Sequence, residues 1–136
     1  MYLGELKEAQ KNLFLDLCIN LAMSDERFAH EEKTMLKQMC HEMGIDERYS
    51  TEKSVADAIN ELAESATDRE KRIMIIELAG IIMADNVYHE SEKKILKDLS
   101  EAFEISFDET EKIIPTISRL YNVYSNFAKF LTGKPI

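Results

Sequence analysis

The sequence predicts an all-α domain, and three observations carry that prediction. Apolar residues make up 45% of the 136 residues, and along the chain they recur at three- and four-residue steps, the period of a helix with one buried face. Only 4 Gly and 2 Pro are present, too little turn chemistry for many short strands. One segment also occurs twice. Met23 to Met39 returns as Met83 to Leu99 at a constant offset of 60, with no gap. Met23/Met83, Asp25/Asp85, Glu32/Glu92, Lys33/Lys93, Leu36/Leu96, Lys37/Lys97 and Ile45/Ile105 are identical pairs. Similarity at one offset implies two copies of one supersecondary unit, here residues 14–45 and 74–105. The length suits a single domain with a real core.

The first helix is expected from about Glu5 to Ser24, with Leu6, Ala9, Leu13, Leu17 and Leu21 on its buried face. The second runs from about His30 to Met43, with Met35, Leu36, Met39 and Met43 inside and Gly44 as its C-terminal cap. The third occupies about Thr51 to Glu64 through Val55, Ile59 and Leu62. Thr67-Asp-Arg-Glu70 reads as a capping box opening a fourth helix that reaches about Ala84. That helix is apolar on nearly every side, from Ile73 to Met83, so it is expected at the centre of the fold. Its Gly80 lets a neighbour approach closely. A fifth helix spans about Glu90 to Phe103. Ser106-Phe-Asp-Glu109 reads as a second capping box for a short sixth helix, which Pro115 ends or kinks. A seventh runs from about Thr116 to Leu131. The two halves are expected to be related helical hairpins around helix four.

Charge excludes several functions. Lys and Arg number 17 against 26 Asp and Glu, a net charge of −9. That sign argues against nucleic-acid binding and against simple attraction to anionic lipid. The most apolar stretch, Ile73 to Ala84, is too short to span a bilayer. The N-terminus shows no basic-then-apolar leader pattern. Cys18 and Cys40 sit on helical apolar patterns and lack metal-ligand spacing. They read as buried free thiols, which fits a reducing, cytoplasmic setting.

The duplication preserves two carboxylates as well as core residues. Asp25 falls where the first helix stops, and Glu32 in the first turn of the second. Asp85 and Glu92 repeat the arrangement. In a helical hairpin these positions share one end, so the pairs can face a common point. Gathered carboxylates favour a cation among them, and hard divalent metals take such oxygen ligands. The same residues also suit capping: Glu at the third helical position satisfies backbone donors, and Asp forms loop turns. His89 is a further candidate ligand should the metal be zinc-like, with an exposed helix-start histidine as the plainer reading.

An apolar-Ala/Ser-Asp phrase, an apolar residue, then Glu seven positions after the Asp resembles the tellurite-resistance TerB-like family, to which the amino-terminal domain of DjlA-type co-chaperones is related. Here the phrase stands as Ser24-Asp25-Glu26 with Phe28 and Glu32, and as Ala84-Asp85-Asn86 with Tyr88 and Glu92. The family's glycine is replaced by Glu26 and Asn86. The resemblance implies an all-helical fold in two halves, an acidic and metal-binding patch, and association with stress-response or membrane-linked assemblies.

The spacing after Asp25 is not that of an EF-hand. Di-iron Glu-x-x-His pairs, nucleophile elbows, phosphate-binding glycine loops and His-Glu-x-x-His are absent from the sequence, so nothing points to an enzyme. Tyr121, Tyr124, Phe127 and Phe130, with Leu120, Val123 and Leu131, give the last helix a broad apolar face. Such a stripe most often lids a core. Its other reading is a docking or self-association face, as in a homodimer. The expected function is a non-enzymatic interaction module with a divalent cation at Asp25, Glu32, Asp85, Glu92 and His89. The alternative is a metal-independent protein–protein adaptor using the last helix or the acidic surface.

Overall fold

The computed structural model describes the backbone of residues 1–23, 30–85 and 88–136, with side chains for all of these except 30–32 and 85. The described residues are all-helical, with no strand among them. A 3-10 turn, Leu3–Glu5, precedes α1 (Glu8–Met23), α2 (His30–Met43), α3 (Val55–Ser65) and α4 (Asp68–Ile82). A second 3-10 turn, Met83–Asp85, leads to α5 (Glu90–Ala102), α6 (Phe107–Glu111) and α7 (Ile113–Leu131). α3 packs on α1 and α5, α7 packs on α4, and α1 and α4 touch each other.

Helix starts follow side-chain chemistry. At α4 the capping box is complete: Glu70 N–H donates to Thr67 Oγ1 at 3.2 Å, and Thr67 N–H donates to Glu70 Oε1 at 2.8 Å. α3 opens at Ser54, whose Oγ accepts from Asp57 N–H at 3.1 Å, so it begins four residues after the expected Thr51. At α6 only half a box forms. Ser106 Oγ accepts from Glu109 N–H, but the Glu109 carboxylate turns to Arg72, 3.0 Å away. α6 ends at Glu111, the residue whose carbonyl Pro115 leaves without its helical donor, and α7 begins at Ile113, earlier than the expected Thr116. Pro115 lies in the first turn of α7, where the missing N–H has no partner within that helix to lose and the fixed φ suits the helix.

The offset of 60 reappears in the hydrogen bonds. Lys7 N–H donates to Gln10 Oε1 at 2.9 Å, as Thr67 N–H does to Glu70 Oε1. Gly44 and Ile45 N–H donate to the His41 and Cys40 carbonyls, and Glu104 and Ile105 N–H donate to those of Glu101 and Ser100. This is the Schellman termination, built twice. Its left-handed residue is Gly44 at φ 69° in one half and Glu104 at φ 58° in the other. The equivalent residues Gln10 and Glu70 meet directly, Gln10 Nε2 donating to Glu70 Oε1 at 3.3 Å.

The core differs from expectation in its centre. Phe14, Leu15, Leu17, Cys18 and Ile19 are all fully buried, so α1 is enclosed around its whole middle, whereas Ala9, expected inside, is exposed. In α4, Ile73, Met74, Ile75, Leu78, Ala79 and Ile82 are buried, but Ile76, Gly80 and Ile81 are half-exposed. The fold is therefore built around two helices rather than α4 alone. Both cysteines are buried and free, and burial pushes both thiols above the usual range.

Gln10, Asp16, Glu70, Ser100 and Thr110 are buried among these apolar residues, and Asp16 carries an ion pair. Asp16 is 2% exposed. Its Oδ1 accepts from Arg48 Nη1 and from Glu52 N–H, while Arg48 Nη2 donates to the Asn12 carbonyl. The pair ties segment 46–52 to α1. Removing one partner of a buried ion pair strands the other, at about 3–5 kcal/mol. Asp16→Ala is expected to lose that much stability in urea unfolding, and Asp16→Asn less, since it keeps an acceptor. A loss under about 1 kcal/mol for Asp16→Ala would show that the segment is held by other contacts.

The Thr67 N–H, and behind it Gln10, hold the Glu70 carboxyl below its ordinary range against the opposing effect of burial. A depressed folded pKa contributes stability that is complete above the unfolded value and lost as pH falls through the folded one. Wild type should therefore lose stability below about pH 4.5 more steeply than Glu70→Gln, measured as the midpoint of thermal unfolding against pH. Parallel curves would remove Glu70 from the acid response.

Candidate functional site

The repeated carboxylates divide by what is described. Asp25 lies outside the described residues. Glu32 belongs to α2 and Asp85 to the 3-10 turn, but neither side chain is described. Glu92 and His89 are described, and they form a helix start. His89 N–H donates to Glu92 Oε1 at 3.3 Å, and His89 Nε2 lies 4.0 Å from the same oxygen. The Glu92 side chain is 16% exposed and that of His89 54%. Among the described residues, no group of three or more His, Cys, Asp or Glu is placed to hold a metal.

Beside this helix start lies Tyr88. Its hydroxyl is buried without a hydrogen-bond partner among the described residues. Burial first, then Glu111, Glu90 and Glu92, push its pKa up to about 12. Lys93 stands 5.8 Å above the Tyr88 ring and 6.0 Å above that of Phe107, with Nζ 3.8 Å from Glu111 Oε2. These contacts pin the start of α5 against α6.

The last helix departs most from expectation. It runs alongside α4 in the same direction: Arg72 meets Glu109 just before α7, and Gly80 meets Tyr121 further on. The Tyr121 hydroxyl donates to the Gly80 carbonyl, and a Cβ on Gly80 would stand 3.3 Å from the Tyr121 hydroxyl oxygen. Gly80 thus provides the close approach that the sequence suggests. Burial raises the Tyr121 phenol above its ordinary pKa. Up to this point α7 does cover the core, with Ile117 buried and Ile113, Ile114 and Tyr121 packed on it. Beyond it the lid reading fails. Val123 is 46% exposed, Tyr124 55%, Phe127 60%, Phe130 75% and Leu131 82%. The reason is length. α7 has 19 residues and α4 has 15, so α7 is about 6 Å longer at 1.5 Å per residue and also starts later along their common direction.

Between α4 and α7 lies an open groove of about 300 Å³, walled by Met35, Ile76, Ile81, Leu120, Tyr121 and Tyr124, with Glu77 at its edge. Charge is segregated along the chain. No Asp or Glu follows Glu111, whereas Lys112, Arg119, Lys129 and Lys134 do. The first 111 residues hold 13 Lys and Arg against all 26 acids, a net charge of −13, and the remainder carries +4. This division, together with the surplus length of the last helix, is the signal that separates a projecting helix from a lid.

No family model matches the chain, and neither a curated protein nor a solved structure matches it. No described helix is long and apolar enough to cross a membrane.

Capping and coordination predict different mutants at Glu92. Removing a cap costs about 1 kcal/mol, and an amide oxygen replaces a carboxylate in that role. Glu92→Ala should lower stability by about that amount and Glu92→Gln by less, with the same result in chelator and in added calcium, magnesium, manganese or zinc. A rise of the wild-type unfolding midpoint with one cation, lost in Glu92→Gln, would instead make Glu92 a ligand.

Proposed function

We propose that this protein is a non-enzymatic interaction module whose contact element is the C-terminal half of α7. The observation that carries this reading is the exposure of Val123, Tyr124, Phe127, Phe130 and Leu131 within nine residues. Single exposed apolar residues are ordinary, but a contiguous aromatic patch marks an interaction surface. The helical body supports the reading as a rigid base, because Ile117 and the Tyr121–Gly80 hydrogen bond anchor the first half of the same helix. The resemblance of the repeated Asp–Glu phrases to the TerB-like family supports a role for such a module in stress-response or membrane-linked assemblies. Divalent-cation binding through Asp25, Glu32, Asp85 and Glu92 ranks behind it, since Glu92 Oε1 already accepts its own helix's N–H.

Photo-crosslinking in cells tests the contact element. A photoreactive residue at Phe127 or Phe130 should give a discrete protein adduct, and one at the exposed Asn60 should not. The adduct should disappear with Leu131→Glu while the unfolding midpoint holds. Equal labelling from Phe127 and Asn60, or none from either, would refute a contact role for α7.

A further inference from the structure

The proposed role of α7 leaves its occupant unspecified, and the structure bears on that choice. Ile113, Ile117, Leu120, Tyr124, Phe127 and Leu131 alternate at steps of four and three along α7. This is the seam of a helix that packs lengthwise on a partner. Its exposure rises along the helix, from 5% at Ile117 to 55% at Tyr124 and 82% at Leu131. The seam is covered by its own body at one end and uncovered at the other. The groove that Leu120 and Tyr124 of this seam line together with Met35, Ile76 and Ile81 is an apolar channel open to a second element. Each molecule therefore carries both an uncovered seam and an uncovered receptacle.

We infer that the occupant is a second copy of this chain. The projecting half of each α7 lies in the other copy's groove under two-fold symmetry. This inference rests on α7 being the contact element. Charge selects this pairing. Two bodies of net −13 repel, and two projecting ends that each carry Lys129 and Lys134 repel, but such an end laid on a body of −13 is attracted. A crossed arrangement satisfies that rule twice. It is also isologous, so it closes at two copies and leaves neither seam uncovered. The aromatic seam and the methionine in the groove match the chemistry enriched in interface cores. A bilayer of anionic lipid would attract Lys129 and Lys134 but repel the far more acidic body that comes with them.

Sedimentation equilibrium over a wide concentration range tests the assignment. Wild type should show the mass of two chains, with an association that weakens as salt rises. Phe127→Glu, at a position already exposed, should keep the unfolding midpoint and raise the dimer dissociation constant about a hundredfold or more. Ile81→Glu on the groove side should raise the dissociation constant likewise, with a lowered but still cooperative unfolding midpoint, because Ile81 also packs on the core. An equal mixture of the two variants should associate more tightly than either alone, because the mixed pair retains one intact seam–groove contact. Absence of this rescue would overturn the crossed arrangement in favour of α7 against α7. A folded wild type that stays monomeric at the highest concentration would overturn the second copy altogether. Flotation of that monomer with phosphatidylserine vesicles, lost in Phe127→Glu, would assign the helix to lipid. A monomer that still crosslinks from Phe127 to another protein would leave the module reading intact without the dimer. No crosslink at all would remove both.

Discussion

A helix that is apolar around most of its circumference needs neighbours on several sides, and this chain contains two such helices in contact. α1 buries six consecutive residues from Phe14 to Ile19, Asp16 among them, and α4 buries Ile73 to Ile75, Leu78, Ala79 and Ile82. All other elements are arranged by the need to cover this pair. α2 and α3 lie against α1, and α5 and α7 lie against α4. The two central helices join at Gln10 and Glu70, equivalent residues that each hold the backbone N–H three positions before them and also bond to one another. The burial of Asp16 follows from the same constraint. A carboxylate inside a sheathed helix needs a cation and hydrogen-bond donors, and the 46–52 segment brings Arg48 and the Glu52 N–H to it.

α7 has a central helix to cover only as far as α4 lasts. α4 ends at Ile82, and α7, set alongside it, continues to Leu131. The aromatic side chains past Tyr121 therefore have no central helix beneath them. The contact surface is thus a consequence of the same packing that makes the core: one covering helix is longer than the helix it covers. The concentration of acids before Glu111 and of cations after it gives the projecting end a charge opposite to that of its own body.

Much of the architecture is legible in local chemistry. Leu36 and Leu96, Met43 and Phe103, and the turns at Gly44 and Glu104 share burial or backbone geometry across the offset of 60. The Thr67 box and the close approach at Gly80 are also readable, because each depends on residues within one turn or on the absence of a side chain. The boundaries that shifted depended on competition. Ser54 displaced Thr51 as the start of α3 by offering its hydroxyl to Asp57 N–H. Glu109 left its capping box for Arg72, which is distant in sequence. α7 starts before Thr116 because Pro115 fits its first turn, where a helix has unbonded N–H groups. At the repeated acids, Glu92 is seen in the capping role that its position allows, while the described residues do not include the side chains of Asp25, Glu32 and Asp85.

The sequence by itself determined the helical class, the duplication and the apolar stripe of the last helix, since these follow from periodicity and from local hydrogen-bonding groups. That α1 shares the centre with α4, and that the aromatic stripe is half lid and half exposed face, emerges from the packing of the helices. Periodicity reports which residues share one side of a helix. It does not report how far the neighbouring helix extends, and that relative length separates a buried side chain from an exposed one.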